Sequence, residues 1–212
     1  SVSAASWSGP RGVTIDLREG EFSGSERGAK RMAIAYDVTI EDALGSGGDD
    51  QLFGNHAGNQ LSGGDGDDAL RGGRGNDTLQ GGAGTDWLMG QGGRDTLLFG
   101  LADARFDGGS GFDTLALTGD LDLNLVKATR NADFAGIDRI DMRGADDNRL
   151  TVSRRAVLDL SPTDDILKVL GDAGDTVTLR GDHGYIGVSG GFQLYHLRGT
   201  FLLVDSDIAV IT

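Results

Sequence analysis

Cysteine is absent from the 212 residues, and proline occurs only twice. The first absence excludes a disulfide framework and thiolate chemistry, so an extracellular chain of this kind needs another staple. The second excludes collagen and proline-rich linkers, readings that 37 glycines would otherwise invite. Basic residues are also scarce: 19 Lys and Arg against 33 Asp and Glu leave a net charge of −14. That balance argues against a nucleic-acid or anionic-membrane partner and leaves cations as the natural counter-charge. No apolar run is long enough to span a bilayer, and no charged n-region plus apolar h-region opens the chain, which starts at Ser1 rather than Met. The expectation is a piece excised from a longer protein.

What is present is a repeat. Hydrophobic residues make up 38% of the chain, enough for an apolar core rather than general disorder. Blocks of nine residues start at Gly45, Gly54, Gly63, Gly72, Gly81 and Gly90, with another in phase at Gly108 and a degenerate one at Phe99. The eighth position holds Leu52, Leu61, Leu70, Leu79, Leu88, Leu97, Phe106 and Leu115, an apolar ladder without a gap. A period of nine fits neither a helix nor a simple hairpin, and is read as a six-residue turn followed by a three-residue strand. The ladder then faces inward, and two blocks make one 18-residue coil with a sheet on either side.

The sixth position carries the charge. Asp50, Asp68 and Asp86 fall on one edge of such a coil, and Asp77, Asp95 and Asp113 on the other. Carboxylates stacked at strand spacing, roughly 5 Å, repel one another, and a bound cation relieves that repulsion. The turn glycines let carbonyl oxygens converge beside them: Gly45 and Gly47; Gly63, Gly64 and Gly66; Gly72, Gly73 and Gly75; Gly81, Gly82 and Gly84; Gly90 and Gly93; Gly108, Gly109 and Gly111. Carbonyls and carboxylates without cysteine or histidine form a hard oxygen cage, which selects calcium over zinc or copper. Residues 45–116 hold eleven acidic and four basic side chains, the most acidic part of the chain for its length.

GGDGDDALR, GGRGNDTLQ and GGAGTDWLM match the G-G-x-G-x-D-x-U-x nonapeptide in full, and GQGGRDTLL and GGSGFDTLA match it closely or fully. The segment therefore resembles the calcium-binding repeats of RTX proteins, in which ions sit between turns one coil apart. The resemblance implies a right-handed parallel β-roll and about five calcium ions. The turn pairs start at Gly45/Gly63 and Gly63/Gly81 on one edge and at Gly54/Gly72, Gly72/Gly90 and Gly90/Gly108 on the other. GNHAGNQLS places Asn59 where the carboxylate belongs and predicts a weaker site, with His56 as a solvated turn residue. The Phe99 block has lost its glycine turn and predicts no ion, although Asp103 and Asp107 lie close by. Phe53, Trp87, Met89 and Leu98 are expected to point outward from the strands.

Ahead of the repeat, VTIDLREGEFSG and RMAIAYDVTIEDALGSGG resemble the approach to the repeats in the C-terminal domain of serralysin-type secreted metalloproteases, a likeness running over residues 6–100. No H-E-x-x-H occurs, so the catalytic half of such a protease is absent. Behind the repeat, strand-like segments with period-two alternation are bounded by Gly, Asp and Asn turns, and one short helix is expected at Ser153 to Leu160 with Ser153 as N-cap. This half resembles the C-terminal ends of large RTX adhesins. Asp172 and Asp175 echo the repeat loosely.

The organisation expected is an all-β chain: an N-terminal β segment over 1–44, the roll over 45–116, and a β-rich capping region over 117–212. Asp205 and Asp207 before a final apolar run look like a type I export signal or a last core strand. The resemblance implies a secreted module of a bacterial type I substrate, with an exporter and an upstream effector domain as partners, folding when calcium binds. An adhesive or ligand-binding role for the post-repeat half, around Tyr185 and Tyr195, stays open beside it.

Enzyme readings are weak. Gly187 to Gly191 spell G-x-S-x-G around Ser189, but strand-like residues follow where a nucleophile elbow needs a helix. The pairs Asp146/Asp147 and Asp164/Asp165 read as turns rather than glycosidase carboxylates. A Walker motif is missing. The expectation is a binding module and not an enzyme.

Overall fold

The computed structural model describes residues 2–3, 11–25, 31–100, 102–119, 121–128, 133–144, 147–161 and 166–212. Asp146, Asp164 and Asp165 lie outside the described residues. The chain divides into two compact units, Ser1–Asp113 and Thr114–Thr212.

In the first unit, eighteen-residue coils stack two parallel ladders. One ladder runs through Asp42–Leu44, Gln60–Asp65, Thr78–Ala83 and Thr96–Phe99. The other runs through Val13–Asp16, Gln51–Phe53, Ala69–Gly75, Trp87–Gly93 and Arg105–Gly111. Leu61 pairs with Leu79 and Leu70 with Leu88, one coil apart, so the eighth position of every block meets its own kind. Leu52, Leu70, Leu79, Leu88, Leu97 and Phe106 are fully buried. The leading segment belongs to this core as well. Ile15 pairs in register with Leu52, and Ala43 with Leu61, extending each ladder by one rung.

Asp42–Leu44 and Gln51–Phe53 have the three residues that the repeat implies, and later strands are longer. Gln60–Asp65 and Ala69–Gly75 run on through their glycines, and Gly64 still pairs with Gly82 and Gly73 with Gln91. Side-chain alternation stops at the glycine pair, so the pattern in the sequence ends there, whereas backbone hydrogen bonding needs no side chain. Trp87 stands 51% exposed on the outer face, where Phe53, Met89 and Leu98 are half-buried.

The second unit repeats the principle with wider, unequal coils. Thr114–Leu117, Arg139–Asp141, Ile166–Leu170 and Thr200–Asp205 form one parallel ladder, and Asp122–Asn124, Arg149–Ser153, Thr176–Arg180 and Ala209–Ile211 another. The helix Arg154–Leu160 fills a corner, burying Ala156, Val157 and Leu160, and the Ser153 side chain accepts from the Ala156 amide as its N-cap. A second, one-turn helix spans Leu125–Ala128. The unit closes with Gly184–Ser189 and Phe192–Leu197 added antiparallel against Thr200–Asp205. Among the described residues no helix is long and apolar enough to cross a membrane.

Candidate metal centre

Six of the eight nonapeptide turns end on an aspartate, the exceptions being Asn59 and Ala104, and five of the eight end residues donate their backbone amide to the carboxylate one coil away. The amides of Asp50 and Asp68 donate to Oδ1 of Asp68 and Asp86 (2.7 and 2.8 Å). On the opposite edge the amides of Asn59, Asp77 and Asp95 donate to Oδ1 of Asp77, Asp95 and Asp113 (2.7, 2.8 and 2.8 Å). One oxygen of every carboxylate is thereby used to join coils. The other oxygen is left over: Oδ2 of Asp68, Asp77, Asp86 and Asp95 is buried and meets no hydrogen-bond donor of the protein. A buried, donorless carboxylate oxygen is unfavourable unless something else supplies positive charge.

The glycines explain what surrounds it. A Cβ on Gly63 would lie 2.1 Å from Oδ2 of Asp68 and 2.6 Å from the Gly81 carbonyl oxygen, so only glycine permits that approach. The same crowding recurs at Gly45, Gly72, Gly81 and Gly90 against their own carboxylates. At the fourth position Gly84 takes φ +138 with the Gly66 carbonyl oxygen 2.0 Å from where its Cβ would stand. Carbonyl oxygens and carboxylate oxygens are thus brought together along each edge, with no nitrogen or sulfur ligand among them. Such a donor set suits a hard divalent cation, calcium before zinc or copper.

Electrostatics agree with that fit. Burial pushes the Asp68 and Asp77 carboxyls up to about 7, with the neighbouring Asp50 and Asp86 charges acting the same way on Asp68 and the Asp95 charge on Asp77. Burial also raises the Asp86 and Asp95 carboxyls. Without a counter-ion the fold disfavours its own ionised form, and a cation among the oxygens reverses that sign.

The family model of the RTX calcium-binding nonapeptide repeat (4 copies) matches residues 41–70 and 62–97. Residues 41–97 are RTX calcium-binding nonapeptide repeats. No curated protein matches the chain.

Within the RTX roll the first turn of each edge departs from the pattern for a visible reason. Asp50 has donors at both oxygens, the Val13 amide at 2.6 Å, the Ser46 amide at 2.5 Å and the Ser46 hydroxyl at 3.0 Å. Asn59 turns its amide nitrogen toward the leading segment and donates to the Ile40 and Glu41 carbonyls (3.0 and 3.1 Å). An aspartate could not donate there, which accounts for the amide. His56 is exposed on its turn, and among the described residues no three His, Cys, Asp or Glu side chains gather as a separate metal cluster. Gly47 faces open space, while Gly48 holds the crowded fourth position, 2.8 Å from the Arg11 backbone at its Cβ place. A strict count from Gly45 finds Gly48. At the second position of the block starting at Gly90, Gln91 adopts a left-handed φ of 77, where Gly64, Gly73, Gly82 and Gly109 also take positive φ.

In the second unit Asp175 accepts from the Asn148 amide through Oδ1 and from the Asp172 amide through Oδ2, both at 2.8 Å. Asn148 in turn accepts from the Leu121 amide (3.1 Å). Ser189 pairs with Phe192 at the tip of an antiparallel hairpin, whereas His196 pairs with Gly184 at its far end.

Proposed function

We propose that the chain is the calcium-responsive module of a type I secreted bacterial protein, a roll that gains its fold from calcium outside the cell. RTX repeats are typical of such secreted proteins. The observation that carries the reading is the column of buried carboxylate oxygens without protein donors at Asp68, Asp77, Asp86 and Asp95. At low cytosolic calcium these charges and the entropy of the glycine turns work against the roll, which suits passage through a narrow exporter. At millimolar calcium, extracellular modules bind with Kd of roughly 10⁻⁴–10⁻³ M, and binding energy becomes folding energy. About five ions would fill the turn pairs. An effector domain upstream in the same polypeptide completes the proposal.

Far-UV circular dichroism during a calcium titration tests it, with magnesium as control. A cooperative coil-to-β transition above micromolar calcium is expected. A roll fully formed in chelator would overturn the reading.

Catalysis has no part in this proposal. Strand Gly184–Ser189 passes into a tight turn and another strand, not into the helix of a nucleophile elbow. Ser189→Ala is expected to leave any hydrolysis in the preparation unchanged. A second reading, an adhesive surface on the post-repeat half, draws on Tyr185, Ile186 and Val188, which stand 58%, 55% and 62% exposed on the edge strand. Serine at those three positions would abolish retention of the calcium-loaded chain on cell surfaces if that strand is adhesive; unchanged retention would remove this reading.

A further inference from the structure

The Phe99 block has Ala104 at its sixth position, and on the repeat pattern it holds no ion. The structure supplies a different carboxylate. Asp103, one residue earlier, folds back in a tight loop: its amide donates to the Gly100 carbonyl (3.3 Å) and its Oδ2 accepts from the Gly100 amide (3.0 Å). A Cβ on Gly100 would lie 2.7 Å from that oxygen, a looser copy of the Gly63 approach to Asp68. The loop carries the carboxyl inward, where Asp103 is 7% exposed and its Oδ1 meets no protein donor.

The group it faces is Asp86. That residue is fully buried, its Oδ2 also lacks a donor, and the two carboxyls are close enough to share a hydrogen bond. The Ala104 and Arg105 amides donate to the Asp86 carbonyl (3.0 and 3.3 Å), holding the two loops in register. Arg105 turns its guanidinium to Asp107 (2.8 Å). Two buried carboxylates in contact either share a proton or clasp a cation.

We propose that Asp86 and Asp103 bind a further calcium ion, in a site made by a turn that has lost the nonapeptide signature. The proposal rests on the calcium reading of the roll. Asp86 would then serve both neighbours, tied through Oδ1 to the Asp68 amide and through Oδ2 to the added ion. Such an ion neutralises the end of the acid column on that edge, where the repeat offers no further aspartate at the sixth position.

Native mass spectrometry of the full chain in calcium counts the ions. Asp103→Asn keeps the shape of the side chain and removes its charge, and it is expected to carry one ion fewer than the wild type. An equal count in a folded variant overturns the proposal while the calcium reading stands. If Asp103→Asn does not fold, crystals of the wild type grown in calcium decide. A cation bonded to both carboxylates supports the site, and a carboxyl–carboxyl hydrogen bond without one overturns it. A wild-type chain that takes up no calcium at all overturns the proposed function, and this site with it.

Discussion

Asp68 and Asp175 do the same job in the two units and are satisfied differently. Each ends a turn, and each takes the amide of a residue in the neighbouring coil through Oδ1, at a separation of 18 residues for Asp68 and 27 for Asp175. The second oxygen separates them. Oδ2 of Asp175 has the Asp172 amide at 2.8 Å, whereas Oδ2 of Asp68 has no donor of its own chain. A nonapeptide turn directs its carbonyls inward along with its carboxylate, and needs positive charge from outside. The wider coil spares an N–H for the task. The lesson is that a parallel coil closes either with its own donors or with a metal, and this chain uses both solutions.

Calcium removal should break the comparison most visibly. Hydrogen exchange in chelator is expected to strip protection from Leu70 and Leu88 amides well before those of Val152 and Val177; simultaneous loss would mean that the units share one dependence. Next in size is the ladder itself. Leu70→Ala in the calcium-loaded chain should lose about 2–5 kcal/mol in denaturant melts, since its side chain is fully buried in single file. Asp77→Asn, set beside Asp175→Asn, sharpens the contrast. The first should raise the calcium midpoint by roughly tenfold, about 1.4 kcal/mol, and the second should leave it in place; a shift with Asp175→Asn would assign that turn an ion as well.

The pH effect is smaller. Asp68 and Asp77 sit near 7 in the ion-free fold against about 3.9 when unfolded, so between those values the folded chain holds protons that the unfolded chain has released. The calcium-free roll is therefore least disfavoured at low pH, and the residual β structure in chelator should be greater at pH 5 than at pH 8. With calcium bound the trend should reverse, because protons now compete with the ion. Smallest of all, Ser153→Ala removes a helix cap in the second unit and should lose about 1 kcal/mol with or without calcium.

Where period and chemistry repeat, the fold was legible. In a solenoid each coil touches only its neighbours, so a ladder at Leu61, Leu79 and Leu97 states its own pairing. The assignment of Asp68 and Asp86 to one edge and Asp77 and Asp95 to the other follows from the same arithmetic, and so does the oxygen-only chemistry. The Ser153 cap was legible for a local reason, a hydroxyl placed before a helical run.

Long-range partners were not. Leu121, Asn148 and Asp175 form a column in the second unit, yet they share neither residue type nor a period that continues through the last coil, so no pattern announces them. Asn59 could be seen as a departure from the repeat, but its purpose lies in the Ile40 and Glu41 carbonyls that it reaches. Asp103 stands one place out of phase, and a tight loop at Gly100 turns it inward to Asp86. The sequence alone determined the nine-residue coil, its leucine core and its demand for a hard cation, because each depends on residues fixed in local register. Only the tertiary structure decided which carboxylate oxygens remain without a donor, because that depends on N–H groups brought from other coils.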